Sequence, residues 1–459
     1  MIIGRHEELN LLETIYHLKG GQIVLVTGEK YVGKTALIRE FSVQHNGIYL
    51  SACNASLALN KLFFVKEIRM QCSLSISETL QDWNSVIQEL LKKSAGNRVI
   101  LIIDNIQYIL EIVGELLQLL HNWKSQQTFP VRLMIVFAGD VTEENCEFIR
   151  KITGTEITVI KLKPLTFLEA MPYYNTVFTD DEKILLYGVT GGFPGFLNLI
   201  EPEKSFRDNL YKMFFETNAY MFRCGRDWIE RRVRQPAVYH AILYAIASGK
   251  VRLGEIAEEV GIDYNKLSKY IGSLLNMGII ERIIPADEKQ INKQHKRTFY
   301  IIRNNMLLFW YHFVFPVQSS IQTGAGKKIL RTEVLSQLDT YAQKIFFDVC
   351  FQYCEALKQK GNFSMNFQNI GYFWKQEISL DKMFLIAFNT RQYCLMKCLW
   401  DKQKVSVRQL QEMEEEGPTE FVNKEVFNVV FSRKGFTGPA LQYSAKHPKI
   451  RLISLYYMK

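Results

Sequence analysis

Short apolar runs alternate with amphipathic stretches through the first third of the chain. Gln22 to Thr27 is apolar, Lys34 to Gln44 is amphipathic, and Val99 to Asp104 and Val131 to Ala138 are apolar again. Buried strands separated by helices read this way, so residues 1–163 are expected to form a parallel α/β sheet. From Pro164 to Arg231 the spacing turns helical, broken by Gly191-Gly192-Phe193-Pro194, and predicts a helical lid over 164–231. Residues 232–315 predict three helices and two strands. Ala237 to Ser248 ends at Gly249, Leu253 to Val260 ends at Gly261, and a third helix capped by Asp263 runs toward Met277. Ile279–Ile284 and Phe299–Ile302 then flank a polar loop, which completes the order of a winged helix. Ser319-Ser320 and Gly324-Ala-Gly-Lys-Lys mark 316–332 as a linker. Beyond it, a helix from Glu333 to Lys358 and strand-like runs at Met383–Phe388, Tyr393–Trp400, Val426–Ser432 and Ile450–Tyr456 predict a separate α/β domain over 333–459.

A length of 459 residues agrees with that division, since domains run to roughly 100 to 200 residues each. With 47% hydrophobic and 22% charged residues the chain is ordinary globular material, which excludes low-complexity disorder and a coiled-coil rod. The net charge of +9 permits nucleic acid or another anionic partner without requiring one. The longest apolar stretch, Met306 to Val317, is broken by His312 and Pro316 and falls short of the roughly 20 residues that span a bilayer. The first residues show no basic start, apolar region or cleavage site, so a soluble cytoplasmic protein with no membrane partner is expected. Cys350/Cys354 and Cys394/Cys398 share a spacing that a metal site could use, but they stand among apolar residues with no His motif nearby. Buried, reduced thiols are the better expectation.

The segment with the most chemical content is Gly28-Glu29-Lys30-Tyr31-Val32-Gly33-Lys34-Thr35, followed by Ala36. It fits a phosphate-binding loop, and it lies where the mechanism needs it, after an expected strand and before an expected helix. Glycines let the backbone curl so that several N–H groups face a phosphate, and the helix N-terminus favours an anion. Lys34 would reach the β- and γ-phosphates of ATP while the Thr35 hydroxyl takes Mg²⁺. The apolar run Val99 to Asp104 ends in an acid suited to the same Mg²⁺ shell. Fast ATPases usually follow that acid with a Glu that deprotonates water; here the next residue is Asn105. An amide can hold a water but cannot take its proton, so binding of ATP or ADP with slow or absent turnover is expected, and no catalytic residue is assigned.

Four further segments, Ile2-Ile3-Gly4-Arg5 with Glu7-Glu8-Leu9, Asp104-Asn105-Ile-Gln107-Tyr108, Lys163-Pro164-Leu165-Thr166-Phe167 with Glu169-Ala170, and Gly191-Gly192-Phe193-Pro194, complete a pattern. It resembles the prokaryotic archaeal-type P-loop ATPases, relatives of STAND and AAA+ proteins that carry a winged helix and a C-terminal PD-(D/E)xK nuclease-like domain. The resemblance implies that Gly4, Arg5 and Pro194 line an adenine pocket. Three polar positions depart from the family: Asn105 replaces the Glu, Asp140 replaces the small hydroxyl after Gly139, and Gly154-Thr155 replaces a Gly-Arg pair.

Lys266 and Lys269 on the third helix of the winged-helix segment, with Lys289, Lys293, His295, Lys296 and Arg297 in the polar loop, suit phosphate contacts on duplex DNA that carry little sequence information. Contact with a protein partner or another domain, and a solvated basic loop, remain alternatives. For the last domain the resemblance implies an opening helix at Tyr341–Cys350, an aromatic turn at Ile370–Trp374, a first strand from Glu377-Ile378 and a late motif at Phe431–Phe436. The nuclease acids do not match: Phe347, Ser379, Lys397 and Leu399 stand at the catalytic positions, and Asp381 and Asp401 are displaced candidates. The expectation is therefore an ATP-binding switch with a nuclease-like domain kept for its shape. The alternatives are a DNA-stimulated ATPase, a nuclease with a rearranged site, and a nucleotide-independent interaction scaffold.

Overall fold

Five parallel strands carry the first part of the chain: β1 (Gln22–Gly28), β2 (Ile48–Ser51), β3 (Val99–Asp104), β4 (Leu133–Gly139) and β5 (Thr158–Leu162), paired in the order β2-β3-β4-β1-β5. In this computed structural model the described residues are 2–72, 83–94, 96–128, 130–140, 157–174, 177–286, 298–359, 367, 369–374, 383–415 and 424–458. β3 and β4 are buried along their whole length, which is why they read as unbroken apolar runs rather than alternating ones. The α/β sheet expected from the sequence is present. Its edge strands β2 and β5 escaped the apolar-run reading because they are short and partly exposed.

Among the described residues, five helices of eight or more residues belong with this sheet: α1 (His6–His17), α2 (Lys34–Gln44), α3 (Leu57–Cys72), α4 (Trp83–Lys93) and α5 (Leu110–Ser125). Phe64, Ile68, Ile87, Leu116 and Leu120 from three of them meet Leu25, Leu50, Leu101 and Phe137 from the sheet in one apolar layer. Such a layer, at roughly 1.5 to 3 kcal/mol per large side chain removed from water, holds the strand ends in fixed register. β4 lies between β1 and β3, so the residues that follow all three strands emerge side by side at one sheet edge.

The chain divides into two compact units, Met1–Leu165 with Phe193–Phe196, and Thr166–Gly192 with Leu197–Lys459. Within the second, α6 (Asp180–Thr190) starts at a Thr179/Glu182 capping box and ends at Gly191 in the left-handed conformation. α7 (Tyr220–Glu230) is followed by α8 (Pro236–Ala247), α9 (Leu253–Val260), α10 (Tyr264–Asn276) and the antiparallel pair β6 (Ile280–Ile283) and β7 (Phe299–Ile302), in the element order read from the sequence. Residues 316–332, expected to be a linker, are instead mostly helical, with Ile321, Ile329 and Leu330 buried. Gly326 lies there because a β-carbon would come within 1.8 Å of the Phe215 carbonyl oxygen. It serves close packing, not flexibility.

α11 (Leu335–Gln359) leads into a second five-stranded sheet: β8 (Asn369–Phe373), β9 (Phe384–Phe388), β10 (Gln392–Leu399), β11 (Glu425–Ser432) and β12 (Ile450–Ser454), with α12 (Val407–Glu415) and α13 (Gly438–Lys446) in the connections. β8, β9 and β10 pair antiparallel; β10, β11 and β12 pair parallel. The aromatic segment 370–373 was expected to be a turn and is strand β8. Glu377 and Ile378, expected to open the first strand, lie outside the described residues. Cys350, Cys354 and Cys394 are fully buried and Cys398 nearly so, and the Cys354 thiol donates to the Met396 sulfur at 3.4 Å. Burial pushes the Cys394 thiol up to about 12, and it pushes those of Cys350 and Cys354 well above the ordinary thiol value.

Candidate nucleotide site

β1 ends at Gly28 and the chain turns through 29–33 before α2 begins at Lys34. The turn depends on unusual backbone angles: Gly28 has φ +150°, Tyr31 +69° and Gly33 +97°. Gly28 allows no side chain, since a β-carbon would lie 2.6 Å from the Leu162 carbonyl oxygen on the neighbouring strand. Tyr31 is not a glycine, and its left-handed conformation is tied down from two sides. Its carbonyl accepts from the Gly195 N–H at 3.0 Å, and its ring packs on Phe196 with centroids 4.6 Å apart. Gly33 caps α2 in a left-handed conformation, next to Pro194, so the first N–H groups of the helix open toward the loop.

The Lys34 ammonium lies within this curl, donating to the carbonyls of Gly28 at 2.8 Å and Glu29 at 2.9 Å and to Asp140 Oδ1 at 3.3 Å. Burial pushes its pKa below the ordinary lysine value, and Asp140 opposes the shift. Beside it the Thr35 hydroxyl donates to Asp104 Oδ2 at 2.7 Å. Strand β3 delivers that carboxylate almost fully buried, and its other oxygen accepts the Asn105 N–H at 2.8 Å. A hydroxyl and a carboxylate at hydrogen-bond distance form a hard-oxygen donor pair of the kind Mg²⁺ takes alongside phosphate oxygens. The sequence-derived pair Thr35 and Asp104 is thus brought together, and its chemistry fits the ion.

The structure adds two residues that the sequence reading did not place. The Tyr49 hydroxyl, from β2, donates to the same Asp104 Oδ2 at 2.7 Å, with the Arg39 guanidinium 4.9 Å from its ring. Burial and the Asp104 carboxylate both raise the Tyr49 pKa, so it stays a donor. Gln107 accepts the Asp140 N–H at 3.1 Å, and its amide nitrogen is 3.5 Å from Asn105 Oδ1. Asn105 in turn donates to the Ser51 hydroxyl at 3.2 Å. A polar chain therefore runs Ser51, Asn105, Gln107, Asp140, Lys34 across the ends of β2, β3, β4 and β1.

Arg5, which the resemblance places at an adenine pocket, is held by main-chain carbonyls. Only 2% of it is exposed, and its guanidinium donates to the Val32 carbonyl at 2.8 Å and the Lys163 carbonyl at 2.6 Å and pairs with Glu8 at 2.9 Å. Its two terminal nitrogens tie the N-terminal segment, the loop and the end of β5 together, while its Nε is buried without a partner among the described residues. Gly4, with φ +71°, makes the turn into that clamp. Pro194 does stand at the loop, 3.5 Å from where a Gly33 β-carbon would be. Ala36 and Lys30 are exposed.

With this geometry in view, comparison with known proteins is informative. Residues 2–200 match the family described as an ATPase domain predominantly from Archaea. These residues are an ATPase-like P-loop domain of the archaeal type. Residues 310–412 match a second family, archaeal and bacterial proteins of unknown function. An uncharacterized protein of Methanocaldococcus jannaschii is 24% identical over 394 residues, 85% of this chain and 84% of that relative. Among solved structures, the Walker-type ATPase of Pyrococcus abyssi superposes with a TM-score of 0.50 at 19% identity, over 68% of this chain and 96% of its own. Cdc6p of Pyrobaculum aerophilum gives 0.34 at 15% identity over 71% and 94%.

Away from this ATPase-like domain the expected residues fare differently. Lys266 and Lys269 are exposed on α10, whose opposite side buries Leu267, Ile271 and Leu274. Lys289, Lys293, His295, Lys296 and Arg297 lie outside the described residues, as do Gly154, Thr155, Ser379 and Asp381. In the C-terminal sheet domain the Phe347 ring stacks on Tyr372, the Lys397 ammonium is 5.3 Å from the Phe384 ring centre, and Asp401 accepts from the Gln409 amide at 3.1 Å. Among the described residues no group of three or more His, Cys, Asp or Glu side chains stands ready to hold a metal ion. No helix among them is long and apolar enough to cross a membrane.

Proposed function

We propose that this protein binds ATP and ADP with Mg²⁺ and works as a switch, with hydrolysis slow or absent. The observation that carries this is the joint placement of Lys34 inside the loop curl and of Thr35 against Asp104. Loop N–H groups and Lys34 would hold the phosphates, and Thr35 and Asp104 would hold Mg²⁺, which supplies charge neutralisation at the phosphate oxygens. Asn105 occupies the position from which a carboxylate would draw a proton from water. Its amide is engaged with Ser51 and Gln107 and has no basic lone pair to offer. Pro194, Gly195 and Phe196 rest on the loop directly after α6, so occupancy of the loop has a covalent route to that helix. A ligand moves such an equilibrium only as far as it prefers one state over the other.

The test is binding calorimetry with ATP and Mg²⁺ on the wild type and Lys34→Ala, joined to phosphate release with and without duplex DNA. Wild-type binding that Lys34→Ala removes supports the reading. No binding by the wild type favours a nucleotide-independent scaffold, and turnover above about 1 per second favours an active, DNA-stimulated ATPase.

A DNA contact through residues 232–315, as a winged helix, is the second reading. It is favoured by the two exposed lysines on α10, opposite the buried side of that helix. A salt-dependent gel shift removed by changing Lys266 and Lys269 to Glu would support it. The C-terminal sheet, with three antiparallel and two added parallel strands behind α11, is consistent with a nuclease-like domain retained for its shape.

A further inference from the structure

We propose that Asp140 makes this site favour a nucleoside diphosphate over a triphosphate, a property that rests on the nucleotide-binding reading above and sharpens it. The placement follows from sheet register. β1 and β4 pair Thr27 with Gly139, so the next residues, Gly28 and Asp140, leave the sheet side by side. Asp140 is then held where it emerges. Gln107 accepts its N–H at 3.1 Å, and Gly139 is so tightly enclosed that a β-carbon would come within 2.6 Å of the Gln107 amide oxygen and 2.9 Å of Ile106.

From that fixed point the carboxylate reaches Lys34. An ammonium has three donors, and here they are matched by three acceptors: two loop carbonyls and Asp140 Oδ1. In P-loop proteins this same lysine serves the β- and γ-phosphates. A γ-phosphate that draws on Lys34 competes with these acceptors, and it brings its added negative charge to an ammonium that already holds the Asp140 carboxylate. The α- and β-phosphates have the loop N–H groups and the N-terminus of α2 as further partners, and these do not depend on displacing Asp140. A residue without charge at this position would lack the penalty. The consequence is selectivity for the product of hydrolysis: the diphosphate state is the resting one, and a triphosphate enters at a disadvantage.

The experiment is calorimetry on the full chain with Mg²⁺ and either ADP or the β,γ-imido analogue of ATP, for wild type, Asp140→Asn and Asp140→Ser. The wild type should bind ADP more tightly. Both variants should tighten the triphosphate analogue by about tenfold while ADP stays within about threefold, because only the former meets the lost charge. Equal changes for the two ligands, or an unchanged ratio, would overturn the proposal while leaving the nucleotide site intact. Loss of phosphate release in Asp140→Asn without a change in the ratio would also overturn it, since the carboxylate would then be acting on water. A wild type that binds neither ligand removes both this proposal and the reading beneath it, whereas loss of binding only in Lys34→Ala leaves that reading standing.

Discussion

At the residue scale the site turns on how one buried carboxylate is oriented. Asp104 Oδ2 receives two hydroxyls, Thr35 at 2.7 Å and Tyr49 at 2.7 Å. On the proposed reading Thr35 would turn toward Mg²⁺, and Tyr49 would keep its hydrogen bond to the carboxylate. Outer-shell partners of this kind typically tune metal affinity by 10- to 100-fold. Tyr49→Phe is therefore expected to weaken Mg²⁺-supported nucleotide binding by about tenfold while leaving binding in EDTA unchanged, which calorimetry with and without the ion resolves. Asp104 was legible in the sequence because an apolar run ends on it. Tyr49 was not, because its link to Asp104 spans 55 residues and is set by the parallel register that pairs Ser51 with Asp104. Gln107 was legible as part of a motif but not in its role, for the same reason: that role is defined by Asp140, 33 residues away, just past the end of β4. Arg5 was legible as a notable residue, but not as a clamp, since nothing local says that a guanidinium will meet Val32 and Lys163.

At the scale of elements the sequence spoke clearly wherever a strand is buried on both faces or a helix has caps. β1, β3, β4 and the helices ended by Gly249 and Gly261 were all read from such signals. It misled where small residues serve packing. The Gly324-Ala-Gly segment looks like a hinge, yet Gly326 fits against a backbone carbonyl that no larger residue could approach. Gly225 is the parallel case inside α7. A β-carbon there would lie 2.1 Å from the Trp310 ring, and Trp310 cannot give way because its indole N–H donates to the Phe222 carbonyl at 2.8 Å. Overpacking of a closed core typically costs about 1 to 3 kcal/mol. Gly225→Ala is expected to lower stability by at least that amount, seen as a lower urea midpoint, even though alanine is the better helix former.

At the scale of the molecule, two acids of the second unit give its stability opposite pH dependences. Asp181 sits among Arg433 at 2.9 Å and Lys434 at 2.7 Å. Burial works to raise its pKa, but the two cations outweigh burial and hold it below the usual carboxylate range. Its contribution is present above the unfolded value, about 3.9, and is lost as pH falls through the lowered folded value. Asp348 is the reverse. Burial raises its pKa against the donated bonds of Asn305 and Gln352, so the folded state keeps a proton that the unfolded state releases. Its contribution is full below the unfolded value and is lost as pH rises through the raised folded one. Urea midpoints followed from about pH 3 to 8 should therefore lose their steepest acid limb in Asp181→Asn and gain stability on the upper side of the carboxylate range in Asp348→Asn. The buried sulfurs of Cys350, Cys354 and Cys394 add a last consequence. Held protonated by their surroundings, they are indifferent to oxidants while α11 covers β10; once that seam parts they ionise freely, and any adduct formed then is too bulky to be re-enclosed. Damage to this domain is thereby made irreversible by the same enclosure that protects it.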